Sequence, residues 1–398
     1  MRIKRNLRLI DAFTIGTNMI FVLPVLMPYY RDHIGIGFRE FLIGEAAFSA
    51  TIVLLDVPTG WISDMWQRKH VQAMGILFDI IGFTCLLIAK SFFMAVAAQI
   101  LIGIGVSLCS GTNTAILYDS LLSVGREDEY RKREGRRTAL CFYTIAPSGV
   151  IGGLLYPVNN HLPLVLGIIA FTGALITSCL LDEPERHKRR PERHPVADII
   201  ETMNYARKHT EIGFIILFSA ALFCCTKIIM WSQQPYYMAM KVPEAYYGIL
   251  MAVGFMLGGL SSHVSHLVDG KISAYRALAI LWAFALLVCV GAGFSTGWHG
   301  IVLLMMGGTC IFGMASPRVN EVINRCVDSS RRATVLSTQN LTVSLFFIPL
   351  STLMGSVSKH WGIQAVLLGL ALWLCLAGVC LGALALRRKS AETDKRQK

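Results

Sequence analysis

Apolar runs long enough to cross a bilayer recur from one end of this 398-residue chain to the other. A hydrocarbon core of about 30 Å takes about 20 residues of helix to span. Backbone amides and carbonyls inside it must be paired by the chain itself, so only helices and closed barrels survive there. Strands of a membrane barrel alternate polar and apolar residues over short segments, and no such alternation is present. The chain is therefore read as an all-α membrane protein. Its composition agrees: 16% of residues are charged, where a soluble domain carries about 25%.

Twelve runs can be placed. Six lie within residues 1–181, near Leu9–Tyr30, Leu42–Ile62, Val71–Ile88, Phe93–Leu117, Thr138–Tyr156 and a last run ending near Leu181. Six more lie within 211–386, near 211–231, 245–267, 274–294, 300–317, 333–354 and 363–386. Between them, 182–210 is a linker whose first part is charged and carries two prolines. Its second part repeats Val196, Ile199, Ile200, Met203 and Ala206 at helical spacing, the pattern of an amphipathic helix on a membrane surface. Residues 387–398 form a basic tail. The expected organisation is two six-helix bundles, a linker and a tail.

The formal charge of +12 does not point to nucleic acid, because the basic residues are scattered through short loops instead of being gathered on one domain. Most of the 37 lysines and arginines fall on one side of the twelve-run scheme. By the positive-inside rule that side is cytoplasmic, and both termini lie there. Asp11 and Asn18 interrupt the first run and no small-residue cleavage site follows, so this run is expected to stay as an uncleaved first helix. The eleven cysteines sit mostly inside apolar runs without repeated spacing and read as packing residues. Trp61, Trp66, Tyr236, Tyr237, Trp298 and Trp361 fall at predicted helix ends, the place of interfacial anchors.

The second and third runs are joined by Asp56-Val-Pro-Thr-Gly60-Trp-Ile-Ser-Asp64-Met-Trp-Gln-Arg68-Lys69. Gly60 would let two helices approach closely, Asp64 would complement the positive end of a neighbouring helix, and Arg68 and Lys69 would stay in water. The stretch resembles the signature loop of major facilitator superfamily transporters, Gly-x-x-x-Asp-Arg-x-Gly-Arg-Arg/Lys. Gly60, Asp64, Arg68 and Lys69 match it, while Met65 and Gln67 replace its Arg and Gly. The second half carries a degenerate copy, with Gly259 and His263 in the places of Gly60 and Asp64.

The resemblance implies twelve transmembrane helices working by alternating access. It implies that Asp64, Arg68 and Asp119 form a conformational latch, with Gly60, Lys69 and Arg332 beside it. In this family helices 1, 4, 7 and 10 line the central cavity, which makes Asn18, Asn113, Lys227, Trp231, Gln233 and Asn320 the candidate substrate residues. Lys227 is the sharpest of these, as a Lys or Arg well inside an apolar run. Its cost there is at least about 2.5 kcal/mol unless it is paired. It would receive an anionic group of the cargo, or it would form a fixed pair with a buried acid. Glu45 and Asp79, inside the second and third runs, are the candidate proton carriers.

Residues 56–69, 110–121 and 331–337 look most like the drug- and metabolite-efflux branch. The expected function is proton-coupled export of a small amphipathic or anionic organic molecule, such as a drug-like compound, carboxylate metabolite or siderophore. Import of organic acids or sugars, lipid flipping and a non-transporting sensor are the alternatives. Two departures separate the chain from proton-driven drug exporters. Gln99 stands where they carry an arginine, and Ser148-Gly149-Val-Ile-Gly152-Gly153 replaces Gly-Pro-x-x-Gly-Gly, with Pro147 displaced. The chain has no phosphate loop and no hydrolase motif, so neither ATP-driven transport nor an enzyme is expected. His263-x-x-His266-x-x-Asp269 reads as a loop-facing cluster, and no metal or cofactor is expected. The expected partners are a small-molecule substrate, a proton or other coupling ion and the lipid of a bacterial-type inner membrane, with the protein a monomer.

Overall fold

The computed structural model describes residues 3–183, 209–265, 272–327 and 332–397. Among these residues every regular element is helical. α1 is Ile3–Asn18, α2 Leu26–Tyr29, α3 Phe38–Met65, α4 Arg68–Ile88, α5 Phe92–Cys109, α6 Thr112–Leu122, α7 Tyr130–Leu155 and α8 Leu162–Leu180. After the linker come α9, Thr210–Ala239; α10, Tyr247–Val264; α11, Ala274–Phe294; α12, Trp298–Cys326; and α13, Arg332–Gln397. Ten helical stretches among the described residues are long and apolar enough to cross a membrane. α3 is a further helix of 28 residues. α13 joins two helices across a kink at Gly362, whose φ of 80° only glycine adopts freely. With α3 added and α13 divided, the twelve runs of the sequence are accounted for. The predicted surface helix of the linker lies outside the described residues. α13 carries helix through most of the basic tail.

The chain divides into two compact units, one of Met1–Glu192 with Val242–Ala252, the other of Arg193–Lys241 with Val253–Lys398. In the first unit two spans are broken. α1 stops at Asn18, and the span resumes as a 3-10 turn at Leu23–Val25, α2 and a π turn at Tyr30–Ile34. Pro24 and Pro28 each lack the amide that a continuous helix would use. At the end of α1, Thr14 and Asn18 also donate to the carbonyls of Ile10 and Thr14 at 2.9 and 2.8 Å, and Met19 N closes on Gly16 O at 3.4 Å. The fourth span is interrupted at Ser110–Gly111, where Gly111 has φ +64°, and α6 begins at Thr112. The Thr112 hydroxyl donates back across the gap to Leu108 O at 2.8 Å.

The first break is closed against a glycine of a neighbouring helix. A Cβ on Gly152 of α7 would overlap the Phe21 carbonyl in the first break. A Cβ on Gly248, at the start of α10, would overlap the Gly149 carbonyl of α7. Backbone thus meets backbone, as small residues allow in membrane helices. Gly60 does not work this way. It is exposed near the end of α3, with open space where its Cβ would stand, so its expected close helix contact is not made.

The second unit is built on α9, which packs against α11, α12 and α13. Two of the expected interfacial aromatics belong to this core instead. Tyr236 and Tyr237 are 0% and 2% exposed, and the Tyr236 hydroxyl donates to Ser295 O at 2.8 Å. Proximity to a helix end misplaced them, because α9 runs past the end of its apolar stretch to Ala239. Trp61, Trp66, Trp298 and Trp361 are exposed as expected.

Gly152→Ala is expected to lower the melting temperature of the detergent-solubilised protein by several degrees, as overpacking costs about 1–3 kcal/mol. Gly60→Ala is expected to leave it unchanged. Equal melting temperatures for the two variants would show that the backbone contact does not matter.

Candidate functional site

In the first unit the signature loop is short: α3 ends at Met65 and α4 begins at Arg68. The first amides of any helix have no partner within it. At α4 they are met by Glu183, just beyond α8, whose carboxylate oxygens accept from Arg68 N at 2.9 Å and Lys69 N at 3.0 Å. A carboxylate at a helix N-terminus is favoured by the helix dipole as well as by the two bonds.

Other residues gather on the same helix end. The Arg68 guanidinium pairs with the Asp119 carboxylate of α6, both side chains being about five-sixths buried, at 15% and 16% exposure. Lys69 Nζ reaches Leu181 O at 3.5 Å. Ser178 of α8 donates to Lys69 O and to Gln72 Oε1 at 3.1 and 3.0 Å, and Gln72 Nε2 donates to Asn113 Oδ1 at 2.6 Å. From α1, Asn6 donates to Ser120 Oγ and Asp182 O and accepts from Asp182 N. Four helices and the first residues after α8 are therefore pinned together. Asp11 of α1 pairs with Arg136 of α7 at 3.0 Å.

The candidate latch residues fall into three groups. Arg68, Lys69 and Asp119 are brought together in this network, and Gly60 is not part of it. The side chains of Asp64 and Arg332 lie outside the described residues. Sequence reasoning missed Glu183, which looks like one more acid of a charged linker. The available signal was its place directly after a helix ending beside the signature loop. Of the metal candidates, His266 and Asp269 lie outside the described residues. Among the described residues no group of three or more potential ligands converges.

The candidate substrate residues separate by what they touch. Asn18 ends α1 at the first break, with its amide on Thr14 O. The Asn113 amide oxygen is engaged by Gln72. In the second unit, Gln233 of α9 is buried and donates to Leu304 O of α12 at 3.0 Å, so it ties two helices together. Trp231 is buried in α9, and Asn320 is exposed on α12. Lys227, on α9, places its ammonium 3.9 Å from the centroid of the Phe347 ring of α13, within cation–π range.

Another cation of this unit is fully buried. Arg318 of α12 is 4% exposed and donates to Met314 O at 3.1 Å and to Ser265 O at 2.9 Å. It thus covers the Ser265 carbonyl just past the end of α10. The sequence concealed it because the apolar run ends at 317, while α12 continues to Cys326. Of the two candidate proton carriers, Glu45 of α3 is 4% exposed and its Oε1 accepts from Gln99 Nε2 of α5 at 2.9 Å. Asp79 of α4 is equally buried.

The sequence matches the profile of the Major Facilitator Superfamily over residues 12–346. The chain belongs to that superfamily. Solved structures agree on the fold. A variant of the nucleoside transporter NupG superposes with a TM-score of 0.81 at 14% identity, covering 96% of this chain and 99% of that one. A bacterial homologue of the human lysosomal transporter Spinster gives 0.71 at 14%, covering 96% of each chain. A POT family transporter in complex with a thioalcohol-conjugated peptide gives 0.70 at 14%, again covering 96% of each. No curated protein matches by sequence. The chain is therefore a multi-pass membrane transporter of that superfamily.

Removing the Glu183 carboxylate leaves α4's first amides without their acceptor. Glu183→Ala is expected to cost about 1 kcal/mol, the usual worth of a helix cap. Asp119→Ala, which strands a largely buried guanidinium, is expected to cost more, about 1–3 kcal/mol. Thermal unfolding in detergent ranks the two, and an Asp119→Ala protein as stable as the native one would show the ion pair to be idle.

Proposed function

We propose that this transporter exports a small organic anion, such as a carboxylate, across a bacterial-type inner membrane by alternating access, coupled to protons. The observation that carries the reading is Lys227. An ammonium in the middle of an apolar helix is costly and marks a functional position by default. Here it lies over the face of Phe347, whose ring quadrupole offsets part of that cost. A half-buried ammonium supported in this way would attract an anionic group on the cargo. The outward direction and the proton coupling rest on the likeness of residues 56–69, 110–121 and 331–337 to the efflux branch. The cytoplasmic placement of both termini rests on the loop charges.

The test uses purified protein in proteoliposomes with a panel of radiolabelled mono- and dicarboxylates, read against protein-free vesicles. Lys227→Ala is expected to reduce carboxylate flux about 10- to 100-fold, the value of a charge-assisted hydrogen bond. Lys227→Arg is expected to retain part of it, and both variants should unfold at the native temperature. Native flux in Lys227→Ala would overturn the assignment.

A further inference from the structure

Asp79 has an environment that its helix position does not require. It lies in the middle of α4, is 4% exposed, and its Oδ1 accepts no hydrogen bond among the described residues. The surface it meets is Gly105 of α5. A Cβ on Gly105 would run into Asp79 Oδ1 and Cγ, and the Gly75 carbonyl of α4 lies 2.6 Å from the same point. Glycine at 105 therefore makes the space that the carboxyl fills. α4 and α5 are close enough here that a Cβ on Gly75 would lie 2.9 Å from Gly105 O and 2.7 Å from Cys109 Sγ.

The carboxyl thus faces an α-carbon and a carbonyl oxygen, neither of which stabilises a negative charge. The helices packed on α4 are α5, α8, α6 and α3. Among the described residues the titratable group they bring to Asp79 is the Cys109 thiol of α5, and no ion pair reaches it. An ionised carboxylate in such a place lacks both donors and a counter-charge, which hydrocarbon-depth burial does not tolerate. A neutral carboxylic acid fits. Its O–H can donate to the carbonyl of Gly75, one helical turn back, as the threonine hydroxyls of α1 do to theirs.

We propose that Asp79 is the proton-binding group of the transport cycle, taking up one proton as its carboxylate becomes a carboxylic acid and giving it back when α4 and α5 part. The position suits coupling. Gly105 lies little more than one turn before the Ser110–Gly111 break. One turn from Gly75 towards the signature loop is Gln72, which is bonded to Asn113 just beyond that break. Charging Asp79 would therefore press α4 away from α5 at the point where the fourth span can bend. The role as coupling group rests on the proton-driven reading above, whereas the protonation itself does not.

Two measurements separate these. In the infrared difference spectrum of the purified full-length protein, a protonated-carboxyl C=O band is expected at neutral pH. It should shift on 13C-aspartate labelling and be absent in Asp79→Asn. Labelling of the native protein identifies an aspartic acid even where the variant fails to fold. If no such band exists, Asp79 is ionised and the proposal is overturned.

In proteoliposomes, one pH unit sustains about tenfold accumulation per coupled proton. Asp79→Asn is expected to collapse the accumulation of any carboxylate carried by the native protein, while leaving carboxylate exchange intact. Native accumulation in the variant would reduce Asp79 to a packing residue and overturn the coupling role. Should the native protein carry no carboxylate, the reading of Lys227 falls and the infrared result still decides whether Asp79 holds a proton.

Discussion

A helix that begins at a membrane surface brings several amides with no partner of their own, and in the first unit α4 is such a helix. Its start is only two residues from the end of α3, too short a connection to supply a cap. The cap comes from far along the chain, from Glu183, after four further helices have been laid down. This fixes where α8 must end relative to α4. Ser178 then bonds Lys69 and Gln72, and Leu181 faces Lys69. Asp119 can meet Arg68 only because the same packing brings α6 alongside. The ion pair is thus one product of an arrangement that the cap holds in register.

The broken spans obey the same constraint from the other direction. Interrupting a helix within a bilayer frees carbonyls that water cannot reach, and each freed group left unpaired costs about 1–3 kcal/mol. The first unit answers with the Thr112 hydroxyl on Leu108 O at one break, and by laying Gly152 directly on Phe21 O at the other. A glycine C–H laid against a carbonyl oxygen in this way adds a weak attraction of its own. Gly152 and Gly153 of α7 are therefore sites where a neighbouring backbone occupies the volume of a side chain.

How much of this was legible follows from what periodicity can encode. The twelve runs could be read because hydrocarbon thickness imposes their length, and the signature loop because its charges recur at fixed spacing. Who faces whom was not legible. Asn113 and Gln233 look in sequence like polar residues awaiting a cargo, yet their amides join α6 to α4 and α9 to α12. Tyr236 looked like an anchor at a helix end and is core. Gly60 matches the family's loop but meets open space, while Gly152 and Gly105 carry the close contacts. Arg318 escaped notice for a simpler reason: an apolar run marks where a helix is greasy, not where it stops.

Two cations of the second unit, half-buried Lys227 and buried Arg318, show what the proposed anion site would require. Arg318 donates to the carbonyl of Met314 in its own helix and to that of Ser265 just past α10, so its planar fork ties the two helices together. Such a group is fixed by what it caps, since moving it would expose the carbonyls it covers. Lys227 lies over the Phe347 ring, and a ring face attracts the charge without the strict directionality of a carbonyl acceptor. An ammonium on a flexible four-carbon stem also changes partners at lower cost than a guanidinium in a fitted fork. In the proposed cycle the cation must bind an anion in one state and release it in another, and an undirected attraction to a ring is compatible with both.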